Sequence, residues 1–295
     1  MTLTELTDRF QTEDSCRAYL VEMRWPKGVS CPRCGNEKVH RLGRPWTWRC
    51  GKCATNGYNF TPLVGTIFEN TNYPLRTWFQ VIYLMCQSKK GMSALQIHRT
   101  IGSGSYRTAW YMCHRIRAAM QNDDFKKLTG VVEVDETYIG GKAKNRHGGG
   151  VGGGQRRGKG GRGPVGKVAV IGAISRKGSV VARMIDQTDA KTLTGFVRDT
   201  VSDKVTLVVT DEHQGYQNLD GTMPHEAVCH SAHEYVRGNV HTANIDSFWS
   251  LLKRGVMGTF HQVSKDYLPL YLNEFSFRHN NRKKGDMFAM AIGAA

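Results

Sequence analysis

The spacing of hydrophobic positions along this chain switches between two periods, and each switch marks a new kind of element. Over residues 1–25, Leu6, Phe10, Cys16, Tyr19, Leu20 and Met23 stand among acids and bases as on a short helix that leads to Trp25-Pro26. Val39, Trp46 and Trp48 then alternate with polar residues, as short strands do. Helical spacing returns over residues 74–121. Pro74 opens a helix from Leu75 to Lys89 with Trp78, Ile82 and Met85 on one face, Ser93 caps Ala94 to Ile101, and Tyr106 to Met120 forms a third helix. The turn Ile101-Gly102-Ser103-Gly104-Ser105 joins the last two as in a helix-turn-helix, whose second helix can enter a DNA major groove.

From residue 130 the pattern becomes that of strands. The segments Val131–Ile139, Val168–Ser175, Val180–Ile185 and Val205–Thr210 are short, apolar and β-branched, and fit a mixed sheet with a crossover helix over Asp189 to Val201. Ile245, Phe248, Trp249 and Leu252 recur at i, i+3, i+4 and i+7, which predicts an amphipathic helix with Thr242 as N-cap and Gly255 as its stop. These shifts predict three parts: an N-terminal helix with a small ribbon over 1–70, a helical region over 71–128, and an α/β domain over 129–295.

Composition narrows the partners. Forty-one Lys and Arg against 25 Asp and Glu give a formal charge of +16, which favours a polyanion such as nucleic acid. A glycine-rich basic segment, residues 142–167, has no periodic apolar positions and reads as a flexible loop; it carries Arg156, Arg157 and Lys159. It contains no phosphate-binding G-x-x-x-x-G-K-[ST] pattern. No run of 18 apolar residues predicts a membrane span, and the first residues lack the pattern of a secretory signal, so the expected location is cytoplasmic. Eight cysteines in such a chain point to metal binding rather than disulfides.

Two constellations carry chemistry. Cys31-Pro32-Arg33-Cys34 and Cys50-Gly51-Lys52-Cys53 form C-x2-C-x15-C-x2-C, the spacing of a four-thiolate structural zinc site, and leave Cys16, Cys86, Cys113 and Cys229 as ordinary thiols. Asp135 and Asp211 each close an apolar run, and Asp246 lies on the amphipathic helix. Lys253, seven residues beyond Asp246, falls within about 20° of it around a helix. Carboxylates brought from distant segments are what two-metal phosphoryl transfer requires, because magnesium prefers hard oxygen ligands. Glu136 and Glu212 neighbour the acids but should point to the opposite strand face; Glu136 and His213 are held as secondary candidates. Arg107, His114, Arg115, Arg117 and Arg254 are candidate DNA contacts, and Arg41, Arg44, Arg49 and Lys52 add charge to the ribbon.

The segments Val134-Asp135-Glu136-Thr137-Tyr138-Ile139-Gly140-Gly141, Thr210-Asp211-Glu212-His213-Gln214-Gly215-Tyr216, His241 to Gly255 and Tyr267 to Arg282 resemble the catalytic blocks and closing motif of DDE-type insertion-sequence transposases. The match is to the zinc-ribbon-bearing ISXO-like group, and it spans nearly the whole chain. The resemblance implies a ribonuclease-H-like catalytic core in a bacterial, nucleoid-associated protein. It further implies binding to double-stranded terminal inverted repeats and target DNA, and a homodimer or higher synaptic assembly. Asp135, Asp211 and Asp246 would hold two Mg²⁺ or Mn²⁺ ions, with Lys253 on a phosphate. Many relatives have Glu as the third acid where this chain has Asp246, and some are assigned Asn, so Asn244 stands as a rival. A nuclease of the same fold and a zinc-ribbon DNA-binding regulator are the alternative readings.

Overall fold

The computed structural model describes residues 1–53, 55–121, 126–140, 167–176, 178–219, 221–228, 237 and 240–295. Arg156, Arg157, Lys159 and Cys229 lie outside them, as do residues 142–166 of the glycine-rich segment as a whole. The chain divides into two compact units, one of residues 1–121 with 281–295 and the other of residues 122–280.

In the first unit, α1 (Leu3–Arg9) and α2 (Glu13–Arg24) each start at a threonine whose side chain accepts a backbone N–H and whose partner three residues on bonds back. The ribbon is an antiparallel sheet of β1 (Val39–Arg41), β2 (Trp48–Cys50) and β3 (Tyr58–Phe60). Trp48, Cys50 and Phe60 face inward with Trp25, whereas His40, Arg49 and Asn59 align across the three strands on the exposed face. Next come α3 (Leu75–Gln87), α4 (Ala94–Ile101) and α5 (Tyr106–Ala119). Pro74 cannot cap α3 with its side chain, and the Glu13 carboxylate does so instead, accepting the Leu75 and Arg76 N–H groups at 3.0 and 3.1 Å. Gly102 ends α4 in the left-handed conformation that glycine tolerates, and Ser105 caps α5. The C-terminal helix α9 (Met287–Gly293) returns to this unit, where Phe288 joins Phe10, Tyr19 and Phe79 in one aromatic cluster.

The second unit is a five-stranded mixed sheet in the order β6-β5-β4-β7-β8. Its strands are β4 (Leu128–Ile139), β5 (Val168–Ser175), β6 (Val180–Ile185), β7 (Val201–Asp211) and β8 (His225–Val228). The first three are antiparallel neighbours, and β7 and β8 add parallel to β4. This order and polarity are those of a ribonuclease-H-like core. The crossover helix α6 (Ala190–Thr200) covers one face over Val132, Val134, Ile171 and Ala173. On the other face α7 (Ala243–Arg254) and α8 (Leu268–Asn281) pack on Val170, Ile174 and Val180. With both faces covered, β4 and β5 send alternate side chains into two separate cores.

Asp135 closes its apolar run but not its strand, since β4 runs on to Ile139 as expected. Other local readings change. Residues 1–25 form two helices rather than one. The Thr242 hydroxyl does not cap α7. Gly255 does not stop it either, because its φ of −66° and ψ of −50° are helical and the chain continues as a π-helical turn to Phe260. No helix among the described residues is long and apolar enough to cross a membrane.

Candidate active site

The site starts from two acids two residues apart on β4, on the face that α7 covers. Asp135 pairs across the sheet with Gly172. A Cβ at Gly172 would lie 2.6 Å from the Trp249 ring, so only glycine leaves room for this ring at that point of the sheet. From there the Trp249 indole N–H donates to Asp135 Oδ2 at 2.9 Å, a tertiary bond that orients the carboxylate. Glu133 is fully buried, and sequence reading missed its role. Its carboxylate accepts the backbone N–H groups of Asn244 and Ile245 at 2.8 and 3.1 Å, the Asn244 side-chain amide at 2.7 Å and Arg176 Nε at 2.8 Å. The available signal was a lone charge inside Val131-Val132-Glu133-Val134, since a buried acid must find partners. Asn244 is thus held on Glu133, while the Thr242 hydroxyl donates to Asp246 Oδ2 at 3.2 Å.

Asp211 ends β7, where its Oδ1 accepts the His213 N–H at 3.1 Å. His213 in turn accepts the Gly215 N–H on its ring at 3.1 Å, so this histidine shapes the turn after the strand. Glu136 does lie on the opposite face of β4, where the Tyr216 hydroxyl donates to it. Its carboxylate nevertheless gathers with its neighbours: ligand oxygens of Asp135, Glu136 and Asp211 come within 4.8 Å of one another. Asp246 is not in that group, but its charge is felt there. Burial first, then the charges of Asp211 and Asp246, push the Asp135 carboxyl up to about 7. Burial also pushes Glu136 up to about 8, with Asp211 and Asp135 adding to the rise and the Tyr216 bond opposing it. Converging carboxylates that repel one another form a hard-oxygen donor set of net negative charge, which fits Mg²⁺ or Mn²⁺. Lys253 and Arg254 sit exposed on the last turn of α7.

The four ribbon thiols form the second metal-competent group. Cys31 and Cys53 sulfurs are 3.4 Å apart, those of Cys34 and Cys50 3.7 Å, and all four gather within 4.8 Å. Tetrahedral zinc with bonds of about 2.3 Å needs sulfurs about 3.8 Å apart, so the set fits a structural Zn²⁺ and is too open for disulfides. The Asn36 amide at 3.5 Å holds the Cys50 thiol down to about 6, whereas hydrogen bonding with Cys34, then burial, pushes Cys53 up, so the four thiols share their protons unevenly. Cys16, Cys86 and Cys113 are buried elsewhere in the unit.

The helix-turn-helix separates the proposed DNA contacts. Arg107 is exposed on the first turn of α5, beside the exposed rings of Tyr106 and Tyr111. Arg117 is only 1% exposed and His114 7%, because both fall on the inward face of α5 with Ala109, Cys113 and Ile116. Neither can reach a groove. Arg115 lies over the Trp78 and Tyr111 rings and donates to the Glu69 carbonyl at 3.2 Å.

The chain is similar to known proteins in the same terms. Residues 127–280 match the ISXO2-like transposase domain, and residues 11–56 match the transposase zinc-ribbon domain. An uncharacterized protein in transposable element ISH50 of Halobacterium salinarum is 28% identical over 284 residues, covering 93% of each chain. The crystal structure of the Mos1 strand transfer complex aligns at 10% identity and a TM-score of 0.30 over 72% of this chain and 73% of that one, too loosely to bear on the fold. With its α/β unit matched almost end to end and its cysteine ribbon matched separately, the chain belongs to the ISXO2-like transposase family.

Proposed function

We propose that the chain binds the terminal inverted repeats of an insertion sequence, cleaves the DNA at the element ends, and joins the freed 3′-hydroxyls to target DNA. The observation that carries this reading is the convergence of Asp135 and Asp211 from adjacent strands with the charge of Asp246 from α7. In this assignment Asp135, Asp211 and Asp246 hold two Mg²⁺ or Mn²⁺ ions, with Glu136 as an additional oxygen donor beside them. Bound there, the metals supply a nucleophile at neutral pH and stabilise charge on the leaving oxygen. Trp249 orients the Asp135 carboxylate, and the short Asp246 side chain is steadied by Thr242. Asp246 is the third acid in preference to Asn244, whose amide is committed to Glu133. Lys253, two turns along α7 from Asp246, grips a DNA phosphate near the cleaved end as a point charge.

One Zn²⁺ on Cys31, Cys34, Cys50 and Cys53 holds the ribbon. Arg107, Arg115 and Arg254, with Arg156, Arg157 and Lys159 of the basic segment, supply DNA contacts, and the protein works as a homodimer or larger synaptic assembly on double-stranded DNA. The deciding experiment incubates the purified chain with labelled terminal DNA, a target plasmid and Mg²⁺. Joined products support the transposase reading. Cleavage without joining would replace it with a nuclease, and a mobility shift without chemistry would replace it with a DNA-binding regulator.

A further inference from the structure

We propose that Glu133 is a positioning residue for this active site: a buried carboxylate on β4 that clasps the N-terminus of α7 and so sets Asp246 relative to Asp135. The inference rests on the assignment of Asp135 and Asp246 made above. A helix leaves its first N–H groups without internal partners, and the residue before it ordinarily supplies one. In α7 that residue is Thr242, and its side chain makes no capping bond; its hydroxyl is turned to Asp246 instead. The cap comes from another element. Glu133 Oε2 takes the N–H groups of Asn244 and Ile245, and Oε1 takes the Asn244 amide and Arg176 Nε. Arg176 also donates to the His241 carbonyl at 3.1 Å, so the residues leading into the helix are tied to the same cluster. A negative charge at a helix N-terminus is favoured by the helix dipole, and its burial is tolerated because Arg176 pairs with it.

The clasp has a second point. Two residues along β4, Asp135 is bonded by Trp249, and Trp249 is four residues beyond Ile245 on α7. Two strand residues advance about 6.7 Å and four helical residues about 6 Å, so the two bonds match in length along strand and helix. Asp246 lies on α7 between them. A helix held only by its apolar face could slide or rotate on the sheet, whereas two polar ties at matched spacing fix one register. The geometry therefore assigns Glu133 a task distinct from stability: it determines where the third acid stands.

The test uses the full zinc-containing chain and Mn²⁺ alone as the probe, with binding followed by electron paramagnetic resonance and folding by thermal unfolding. Glu133→Gln keeps the size but removes the charge and one acceptor. Glu133→Asp keeps the charge and shortens the reach by one methylene, which guards against an unfolded Gln variant. Measured well below their unfolding temperatures, the folded variants are expected to bind Mn²⁺ about 10–100-fold more weakly, the usual effect of losing a group that orients a ligand. In cleavage assays kcat falls in step while KM for terminal DNA stays within about twofold. Trp249→Phe, which keeps a ring there and loses the N–H, is expected to weaken Mn²⁺ binding in the same direction. Wild-type Mn²⁺ affinity in Glu133→Asp, with only a lowered unfolding temperature, would overturn the proposal and leave Glu133 a plain helix cap. Asp246→Asn is the control. If it loses Mn²⁺ affinity while the Glu133 variants do not, this inference alone fails; if it binds Mn²⁺ normally, the active-site assignment fails and the inference falls with it.

Discussion

At the scale of single residues, the site shows how one position gains meaning only from its partners. Asn244 and Asp246 are two residues apart, and as text either could be the third catalytic group. Their hydrogen bonds separate them: Asn244 serves Glu133, whereas Asp246 accepts from the Thr242 hydroxyl and its charge is felt at Asp135. Asp246→Asn is therefore expected to lower cleavage by about 100-fold or more, on the scale of losing one preorganised charge, with terminal-DNA binding retained because phosphate contacts dominate affinity. Asn244→Ala is expected to cost about 1.5–3 kcal/mol of stability, the range for a hydrogen bond to a charged group, while keeping measurable cleavage. Gel assays of both variants on labelled terminal DNA check this; near-normal activity in Asp246→Asn with loss in Asn244→Ala would reverse the assignment.

Elements carry the next level of argument. The ribbon β1-β2-β3 has strands of only three residues, too short to hold a sheet by themselves, so its four thiols must supply the constraint. Elemental analysis should find one zinc per chain, lost in Cys50→Ser and retained in Cys86→Ser; the opposite pattern would remove the zinc assignment. On α5, burial predicts two different outcomes for two arginines on one helix. Arg107→Ala should weaken DNA binding and make the slope of log affinity against log salt shallower by about one unit, the effect of leaving one DNA phosphate without its cation, with unfolding unchanged. Arg117→Ala should instead destabilise the fold, because its side chain is buried on the inward face of α5 and its removal leaves that volume unfilled. Salt titrations paired with thermal unfolding distinguish the two.

For the whole molecule, the acidic cluster sets a pH dependence against a background charge of +16. Folding raises Asp135 from 3.8 to about 7 and Glu136 from 4.5 to about 8, in each case through burial first. Between about pH 4 and 8 the metal-free fold thus binds more protons than the unfolded chain, and this contribution makes it less stable as pH rises. A divalent metal held by these carboxyls would have to displace those protons. Apparent Mg²⁺ or Mn²⁺ affinity should climb through the same window, by up to about tenfold per pH unit for each group still protonated, and level off above about pH 8. Unfolding temperatures of the zinc-containing chain without and with added Mg²⁺, taken from about pH 5 to 8.5, should diverge as pH increases; parallel curves would show that these carboxyls are not the metal's ligands.

Local pattern by itself determined most elements of this protein. The α4 boundaries, the β5 and β6 spans and the crossover helix are set by capping residues, periodicity and β-branched runs, which act within a few residues of chain. The cysteine spacing likewise announced a metal ribbon, because two knuckles are local structures. What pattern could not decide were matters of which distant groups meet. Strand β8 is too short and too polar to stand out before β7 pairs with it. Residues 281–295 read as the tail of the α/β domain, yet Phe288 is buried with the N-terminal aromatics. Arg117 looked like a DNA contact until the helix turned it inward, and Glu133 had no role in the sequence pattern until α7 arrived to be capped. Desolvation, helix capping across elements and the choice of Gly172 beneath Trp249 all depend on neighbours far away in sequence, so only the tertiary structure could decide them.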